Sequence, residues 1–275
     1  MTYVRPQSIM LTLYGDYVQH RSGEIGVGSL IKLLGNFGLS EQAIRSAVSR
    51  MCRSGLLKVR RNGQKSYYSL TEEGRDLVTK GAQRIFQRKN SHWDGAWSIV
   101  TYSIPEQRRK VRDRLRLELG WMGYGALSGA TWLSPYDLSR EVAVLVDKLQ
   151  VKECVQIFSA EHQGFTSAKK IVSQCWDLDR IHDRYVSFVA KYRAKLENHL
   201  ERLQAGEPIE SSECFVERFN LIHEYRRFPF FDPDLPGELL PRNWLRPQAA
   251  ALFREYHDLL ASKANEYFDS VFNAY

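Results

Sequence analysis

The segment from residue 40 to residue 70 constrains the fold more than any other part of the chain, because an amphipathic helix is followed there by a hairpin signal. Ser40 can cap the start of this helix through its hydroxyl, and Gly55 suits a left-handed residue after its end. One arc of the helix is apolar and the opposite arc is polar. The apolar arc contains Ala43, Ile44, Ala47, Val48, Met51 and Cys52, and the polar arc contains Gln42, Arg45, Ser46, Ser49, Arg50 and Arg53.

The residues on either side of this helix complete a recognisable arrangement. Residues 29–34 predict a short helix, and the Gly-containing turn at residues 35–38 joins it to the amphipathic helix. After the amphipathic helix, residues 57–61 and 64–70 predict two strands joined at Asn62-Gly63, a strong signal for a type I′ hairpin. A short helix, a turn, a second helix and a hairpin together predict a winged helix-turn-helix.

The positive charge of the chain is concentrated in the same segment. The formal net charge is +7, and residues 40–65 contain seven basic residues against one carboxylate, Glu41. The rest of the chain is close to neutral. A local excess of one sign suits a polyanion, and short polar side chains between arginines suit base edges and phosphates. We therefore predict that this segment binds DNA; the alternative is a winged helix used for protein contacts.

The predicted DNA-binding residues divide by position. Gln42, Arg45, Ser46 and Ser49 are expected at base edges or nearby phosphates, whereas Arg50 and Arg53 are expected at the backbone. In the hairpin, Arg60, Arg61 and Lys65 are expected to contact phosphates or the adjacent minor groove. The full predicted set is Ser40, Gln42, Arg45, Ser46, Ser49, Arg50, Arg53, Lys58, Arg60, Arg61, Asn62, Gln64 and Lys65.

The middle of the chain predicts a second, smaller domain. Strand-like residues 97–103 and 154–160, helices at 106–120 and 137–149, and two short extended pieces around Gly129 give the ferredoxin-like order βαββαβ. Metal-dependent nucleases of that fold place an acid at the end of the first strand, where this chain has Tyr102-Ser103. We expect a non-catalytic spacer, dimerisation surface or sensor. The arginine-rich helix at 106–120 also contains acids, which predicts a salt-bridged face rather than an anion site.

The C-terminal part predicts helices. Residues 167–204 form a long helical stretch with a break near residues 176–179, residues 211–226 form a second helix, and residues 248–272 form a last one. A connector with four prolines precedes the last helix. The overall expectation is an α+β chain with three domains: a winged helix at 1–88, a ferredoxin-like domain at 89–165 and a helical domain at 166–275. Core packing is favoured for the apolar residues of the last helix, with a dimer interface as the alternative.

Several classes of protein do not fit the sequence. It holds no GxSxG, HExxH, P-loop or GxGxxG motif, so we expect no enzyme and no cofactor. Cys52, Cys154, Cys175 and Cys214 form no CxxC pair, which argues against zinc and against a disulfide framework. The absence of an apolar span or signal core predicts a cytoplasmic protein without a membrane partner. An enzyme and an RNA-binding or architectural protein remain as alternatives from other classes.

Linked motifs along the whole chain resemble the PaaX family of bacterial transcriptional repressors. They include Trp93-Asp94-Gly95-Ala96-Trp97, Gly123-Tyr124-Gly125-Ala126-Leu127, Trp132-Leu133-Ser134-Pro135, Arg227-Phe228-Pro229, Asp232-Pro233-Asp234-Leu235-Pro236 and Leu239-Leu240-Pro241-Arg242-Asn243-Trp244. The N-terminal winged helix is similar to that of GntR-type regulators. Such linked motifs are more specific than a helix-turn-helix alone.

The resemblance implies a repressor of phenylacetate catabolism genes that binds a palindromic operator as a homodimer and is released by phenylacetyl-CoA. Relatives that respond to another acyl-CoA, or that also activate, provide the alternative. The effector-binding residues are unknown. Aromatic and basic residues suited to an acyl-CoA pocket lie around Trp93, Trp97, Trp121, Trp132 and Arg226-Arg227. Core packing is the favoured explanation for each of these tryptophans.

Overall fold

A computed structural model describes residues 6–86 and 92–274. It contains many helices and two small antiparallel sheets, which confirms the predicted α+β class. The first stretch forms α1 (Pro6–Asp16), β1 (Glu24–Gly26), α2 (Val27–Gly35), α3 (Glu41–Arg53), β2 (Leu57–Asn62), β3 (Lys65–Leu70) and α4 (Glu72–Phe86). Its three-stranded sheet has the order β1-β3-β2. The sequence patterns predicted α2, α3, β2 and β3, but they did not predict α1 or β1.

The hairpin turn lies one residue later than predicted. Asn62 is paired with Lys65 in the ladder, so the two turn residues are Gly63 and Gln64 rather than Asn62 and Gly63. Gly63 has a φ of +58°, and Gln64 is not among the residues with positive φ. A positive φ at the first turn position alone is the pattern of a type II′ turn, whereas type I′ needs it twice. Glycine at that first position is sufficient, which leaves Asn62 free to continue the strand.

The middle stretch forms β4 (Ala96–Tyr102), α5 (Arg109–Met122), β5 (Gly125–Ala126), β6 (Thr131–Ser134), α6 (Ser139–Lys148) and β7 (Val155–Glu161). All pairings are antiparallel, and the strand order is β5-β6-β4-β7. One sheet face and the two helices enclose a core that includes Val100, Leu115 and Val142. Helix α5 ends at Met122 and not at the predicted Gly120, and Gly123, with a φ of +98°, is its capping residue. The cap needs the left-handed conformation, and Gly123 adopts it while Gly120 continues the helix.

The last stretch forms α7 (Ala168–Cys175), α8 (Leu178–Gln204), α9 (Ser211–Tyr225) and α10 (Arg246–Ala274). The predicted break at residues 176–179 is present between α7 and α8. The connector between α9 and α10 contains two short 3₁₀ turns. On α10, Leu252, Phe253, Tyr256 and Leu260 are buried as predicted, while Leu259 is exposed. The dimer interface proposed as an alternative for this helix stays a prediction.

The described residues fall into two compact units. The first unit groups the described part of Met1–Gln87 with Phe188–Arg227 and Pro247–Tyr275, and the second groups the described part of Arg88–Ser187 with Phe228–Arg246. Residues 166–275 therefore contribute to both units. The three predicted domain ranges, 1–88, 89–165 and 166–275, stay a prediction.

Candidate nucleic-acid interface

Helix α3 has the buried and exposed sides that its sequence predicts. The Ser40 hydroxyl accepts a hydrogen bond from the backbone N–H of Ala43 at 3.2 Å, and Gly55 has a φ of +76°. Four residues of the apolar side are at most 2% exposed and pack the helix into the first unit: Ile44, Ala47, Val48 and Met51. The residues on the opposite side are all exposed: Gln42, Arg45, Ser46, Ser49, Arg50 and Arg53. The arrangement leaves a row of hydroxyl, amide and guanidinium groups facing solvent.

The hairpin of β2 and β3 presents the remaining predicted residues. Lys58, Arg60, Arg61, Asn62, Gln64 and Lys65 are all exposed, as is Ser40 at the start of α3. Because side chains alternate along a strand, Lys58 and Arg60 share one face of the hairpin and Arg61 lies on the other. β2 also contacts α3 directly. The helix and the hairpin are therefore neighbouring parts of one unit. Their contacts with DNA stay a prediction.

Two of the predicted cations have carboxylate partners. Arg45 Nε donates to Glu41 Oε1 at 2.7 Å, one helical turn away on α3. Arg60 Nε donates to Glu24 Oε2 at 3.1 Å, and its guanidinium lies 4.9 Å from the centre of the Tyr67 ring. The hydrogen bonds from Arg60 hold the pKa of the Glu24 carboxyl below its usual value. Both pairs are exposed to solvent, where an ion pair is worth about 0–1 kcal/mol and is exchangeable for a stronger anion.

Sequence reasoning missed the partner of Arg60. Glu24 lies on β1, which is only three residues long and has no pattern that marks it as a strand. The two residues are 36 positions apart in the chain, and only the pairing of β1 and β2 on either side of β3 brings them together. The Glu41–Arg45 pair was accessible from sequence, because residues four apart are neighbours on a helix.

The remaining predicted arginines and Lys58 provide the positive charge of this surface. Arg50, Arg53, Lys58 and Arg61 form no ion pair with any carboxylate of the described residues. The arginine-rich helix α5 differs: Arg112 lies 2.9 Å from Glu106, Arg109 lies 3.8 Å from Asp113, and Arg114 pairs with Glu118. The salt-bridged face predicted for α5 is therefore confirmed.

Helices from the far end of the chain support α2 and α3. Ser29 of α2 donates its hydroxyl hydrogen to the carbonyl of Val271 at 3.1 Å. Phe37, in the turn between α2 and α3, packs against Phe219 of α9 with ring centres 4.2 Å apart. These contacts of high sequence separation could not be deduced from local patterns. They make the position of α3 dependent on α9 and α10.

The tryptophans suggested as effector contacts differ in how far they are buried. Trp97 and Trp132 are buried at 2% and 8% exposure, as core residues are, while Trp121 is half exposed. The Trp93 ring lies 4.8 Å from the Trp97 ring. All four belong to the second unit, whereas Arg226 and Arg227 belong to the first. In the described part of the chain, no cluster of His, Cys, Asp or Glu side chains could hold a metal ion, and no helix there could cross a bilayer.

Comparisons with known proteins agree on one family along the chain. Residues 5–74 match the family model of the PaaX-like protein, residues 90–172 match the PaaX protein central Cas2-like domain, and residues 176–270 match the PaaX-like protein C-terminal domain. The transcriptional repressor PaaX of Escherichia coli (strain K12) is 32% identical over 260 residues, which cover 94% of this chain and 81% of that protein.

A solved structure supports the fold over the same length. The uncharacterized protein Rv0674 from Mycobacterium tuberculosis superposes with a TM-score of 0.64 at 20% sequence identity, over 97% of this chain and 98% of that one. That likeness concerns the fold alone. The family models and the sequence identity together establish that this chain belongs to the PaaX family of transcriptional repressors, which are regulators and not enzymes.

Proposed function

We propose that this chain represses phenylacetate catabolism genes in the cytoplasm by binding their operator DNA, and that phenylacetyl-CoA releases it. The observation that carries the DNA-binding part is the exposed side of α3, where Arg50 and Arg53 have no carboxylate partner among the described residues. Similarity to a transcriptional repressor supports the regulatory role. A different acyl-CoA effector, or activation in addition to repression, is the alternative within the same family.

The finer architecture belongs to the same proposal. The succession of α2, a turn, α3 and the β2–β3 hairpin fits a winged helix-turn-helix in which the hairpin is the wing. The order β5-β6-β4-β7, with α5 and α6 as crossovers, fits the ferredoxin-like arrangement. Neither assignment fixes function by itself, since both folds serve many roles.

In the proposed complex, α3 lies in a major groove. Gln42, Arg45, Ser46 and Ser49 face base edges, while Arg50 and Arg53 contact phosphates. To reach a base, Arg45 exchanges Glu41 for an acceptor on the DNA, which an exposed ion pair permits at low cost. The wing then adds phosphate or minor-groove contacts from the exposed cations of β2.

The proposed assembly is a homodimer on a palindromic operator. One recognition helix contacts too few base pairs to single out a site in a genome, and a two-fold axis doubles the site. Phenylacetyl-CoA acts in this scheme by favouring a dimer in which the two copies of α3 no longer match successive major grooves. Thermodynamic linkage then requires operator DNA to weaken phenylacetyl-CoA binding by the same factor. No cofactor is needed for this cycle.

The base-contacting role is tested with Arg45→Ala, measured by fluorescence anisotropy on operator DNA and on random DNA of equal length. We expect operator binding to weaken by about 1–3 kcal/mol and sequence preference to relax. Arg109→Ala on α5 is the matched control and leaves both affinities unchanged. An equal loss on operator and random DNA contradicts the base-contacting role.

The effector assignment is tested separately, by titrating phenylacetyl-CoA into a preformed operator complex in a gel-shift assay. Release is the expected result. A panel of other acyl-CoAs in the same assay distinguishes the alternative effectors. Failure to release the operator at saturating phenylacetyl-CoA contradicts the assignment without affecting the DNA-binding proposal.

A further inference from the structure

Helices α1 and α9 are joined by polar contacts at two places, and the two places differ in charge balance. At the first, the buried Arg218 donates from Nη1 to Asp16 Oδ2 at 2.6 Å and from Nη2 to His257 Nε2 at 2.8 Å. The guanidinium is therefore opposed by a carboxylate. Such a pairing is the usual condition for a charged side chain inside a protein.

At the second place, directly after the last residue of α9, the cation has no such partner. Arg226 donates from Nη2 to the hydroxyl of Ser8 on α1 at 2.7 Å. Within the described residues no carboxylate forms an ion pair with Arg226. The nearby acid in sequence, Glu224, instead accepts hydrogen bonds from Lys191 and, at 2.9 Å, from Tyr192. The first turn of α1 also contains no acidic residue.

The surroundings of Arg226 are polar and positively charged. Thr12 Oγ1 and His223 Nδ1 lie 2.8 Å apart between the same two helices. Burial and the positive charge of neighbouring Arg227 lower the pKa of Arg226 to about 10. Burial and the charges of Arg226 and Arg227 lower the pKa of His223 to about 4, so its imidazole is neutral at pH 7. The partly buried guanidinium is thus surrounded by hydroxyls and a neutral imidazole, and no carboxylate of the described residues balances its charge.

We propose that Arg226 and Ser8, lined by Thr12 and His223, form a binding site for a single oxyanion group, either a phosphate or a carboxylate. A guanidinium offers five donors in a planar fork that matches two oxygens of such a group, and the hydrogen bond to Ser8 uses only one of them. The Ser8 hydroxyl, which accepts from Arg226, keeps its own hydrogen for the anion, whereas the Thr12 hydroxyl already donates to the Ser8 carbonyl at 3.1 Å. The site lies wholly within the first unit and is distinct from the exposed cations of α3.

Occupation of this site can influence the DNA-binding elements through α9. The same helix carries Phe215 and Phe219, whose rings lie 5.9 Å and 4.2 Å from that of Phe37 in the turn between α2 and α3. An oxyanion that draws α1 and α9 together therefore acts on the helix that supports this turn. This second step depends on the proposed DNA-binding function, whereas binding of the oxyanion does not.

The binding test uses thermal denaturation and calorimetry of the full chain at constant ionic strength. Inorganic phosphate, coenzyme A and phenylacetate are titrated into the wild type, Arg226→Gln and the exposed neighbour variant Arg227→Gln. We expect at least one of the three to bind the wild type and to bind Arg226→Gln about tenfold or more weakly, with Arg227→Gln within about threefold of wild type. Binding of phosphate or coenzyme A indicates a phosphate group as the occupant, and binding of phenylacetate indicates a carboxylate.

Stability of the unliganded variants provides a second measurement. Arg226→Gln removes a cation without a carboxylate partner, so its thermal midpoint stays at or above that of the wild type. Arg218→Gln removes the arginine partner of Asp16, which keeps only the contact with His257 at 3.5 Å, and lowers the midpoint. If none of the three compounds binds the wild type more tightly than Arg226→Gln, the site does not exist. Operator affinity, measured in parallel by anisotropy, tests the repressor function independently.

Discussion

Two arginine-rich helices in this protein differ in how many of their arginines are paired with carboxylates. On α3, Arg50 and Arg53 have no carboxylate partner among the described residues, and the acid of that helix, Glu41, pairs with Arg45. On α5, basic residues are more frequent, five against three, but Arg112 and Arg114 are paired with acids on the same helix or the turn before it. Carboxylates pair with three of the four arginines of α5 but with only one of the three arginines of α3, and the unpaired arginines of α3 lie next to the exposed cations of β2.

The residue directly before α5 is an arginine with a purely structural contact. Arg108 donates to the carbonyls of Leu149 and Gln150, at 3.2 Å and 2.9 Å, where α6 ends. The contrast between paired and unpaired cations continues in the interior of the first unit, where Arg218 has Asp16 and Arg226 has only Ser8. The four predictions below test that contrast in order of decreasing effect.

The largest effect is expected for acid stability at His223. Its pKa falls from the ordinary 6.5 to about 4 because of burial first and of Arg226 and Arg227 second. Between these values the unfolded chain binds a proton that the folded chain does not, so the free energy of unfolding falls as the pH falls from 6.5 to 4. The contribution is up to about 3 kcal/mol.

This contribution is isolated by measuring urea denaturation of the wild type and of His223→Gln at a series of pH values. Between pH 7 and pH 4, the free energy of unfolding of the wild type should fall by up to about 3 kcal/mol more than that of His223→Gln. A difference that is independent of pH contradicts a lowered pKa of His223, whether from burial or from the nearby cations.

The next effect concerns the salt dependence of DNA binding. In Arg50→Ala/Arg53→Ala, two phosphate contacts are lost, so the slope of log Kobs against log salt should decrease in magnitude by about 2. Arg109→Ala/Arg114→Ala on α5 is the matched pair and should leave the slope unchanged. Equal slopes for the two double variants remove the distinction between the helices. Anisotropy over a range of salt concentrations provides the measurement.

A smaller effect is expected when a competing carboxylate is removed. Glu24→Gln frees Arg60 from its ion pair and removes one negative charge near the hairpin, so DNA affinity should rise by about two- to fivefold at low salt. The gain should disappear at high salt because exposed charges are screened. Glu118→Gln, which frees Arg114 on α5, is the control without an effect on DNA. Unchanged affinity in Glu24→Gln places Arg60 outside the interface.

The smallest effect is expected for the stability of α5. Arg114→Ala removes an exposed pair with Glu118 on a helix surface, which should lower the free energy of unfolding by about 0.3–0.5 kcal/mol. Chemical denaturation at low and high salt measures this change. A loss well above 1 kcal/mol contradicts the solvated character of this face.

Local patterns were sufficient for much of the fold and for the identity of the candidate interface. Helix α3, its Ser40 cap, the two hairpin strands and the exposed polar side all follow from side-chain periodicity and from short-range capping. The hairpin turn was displaced by one residue, since two neighbouring turn types accept the same glycine. β1 was missed because three residues hold too little periodicity to mark a strand.

Local sequence patterns were enough to identify the residues of α3 that face solvent, because these depend on neighbours within one or two helical turns, and counting residues located the excess positive charge at residues 40–65. The three-dimensional fold brings together charged partners that are far apart in the chain, as it does Arg60 with Glu24 and Arg218 with Asp16. It alone placed Phe37 against α9 and left Arg226 opposite a hydroxyl. Charge pairing and aromatic packing depend on distances in space, and the order of residues along the chain does not encode those distances directly.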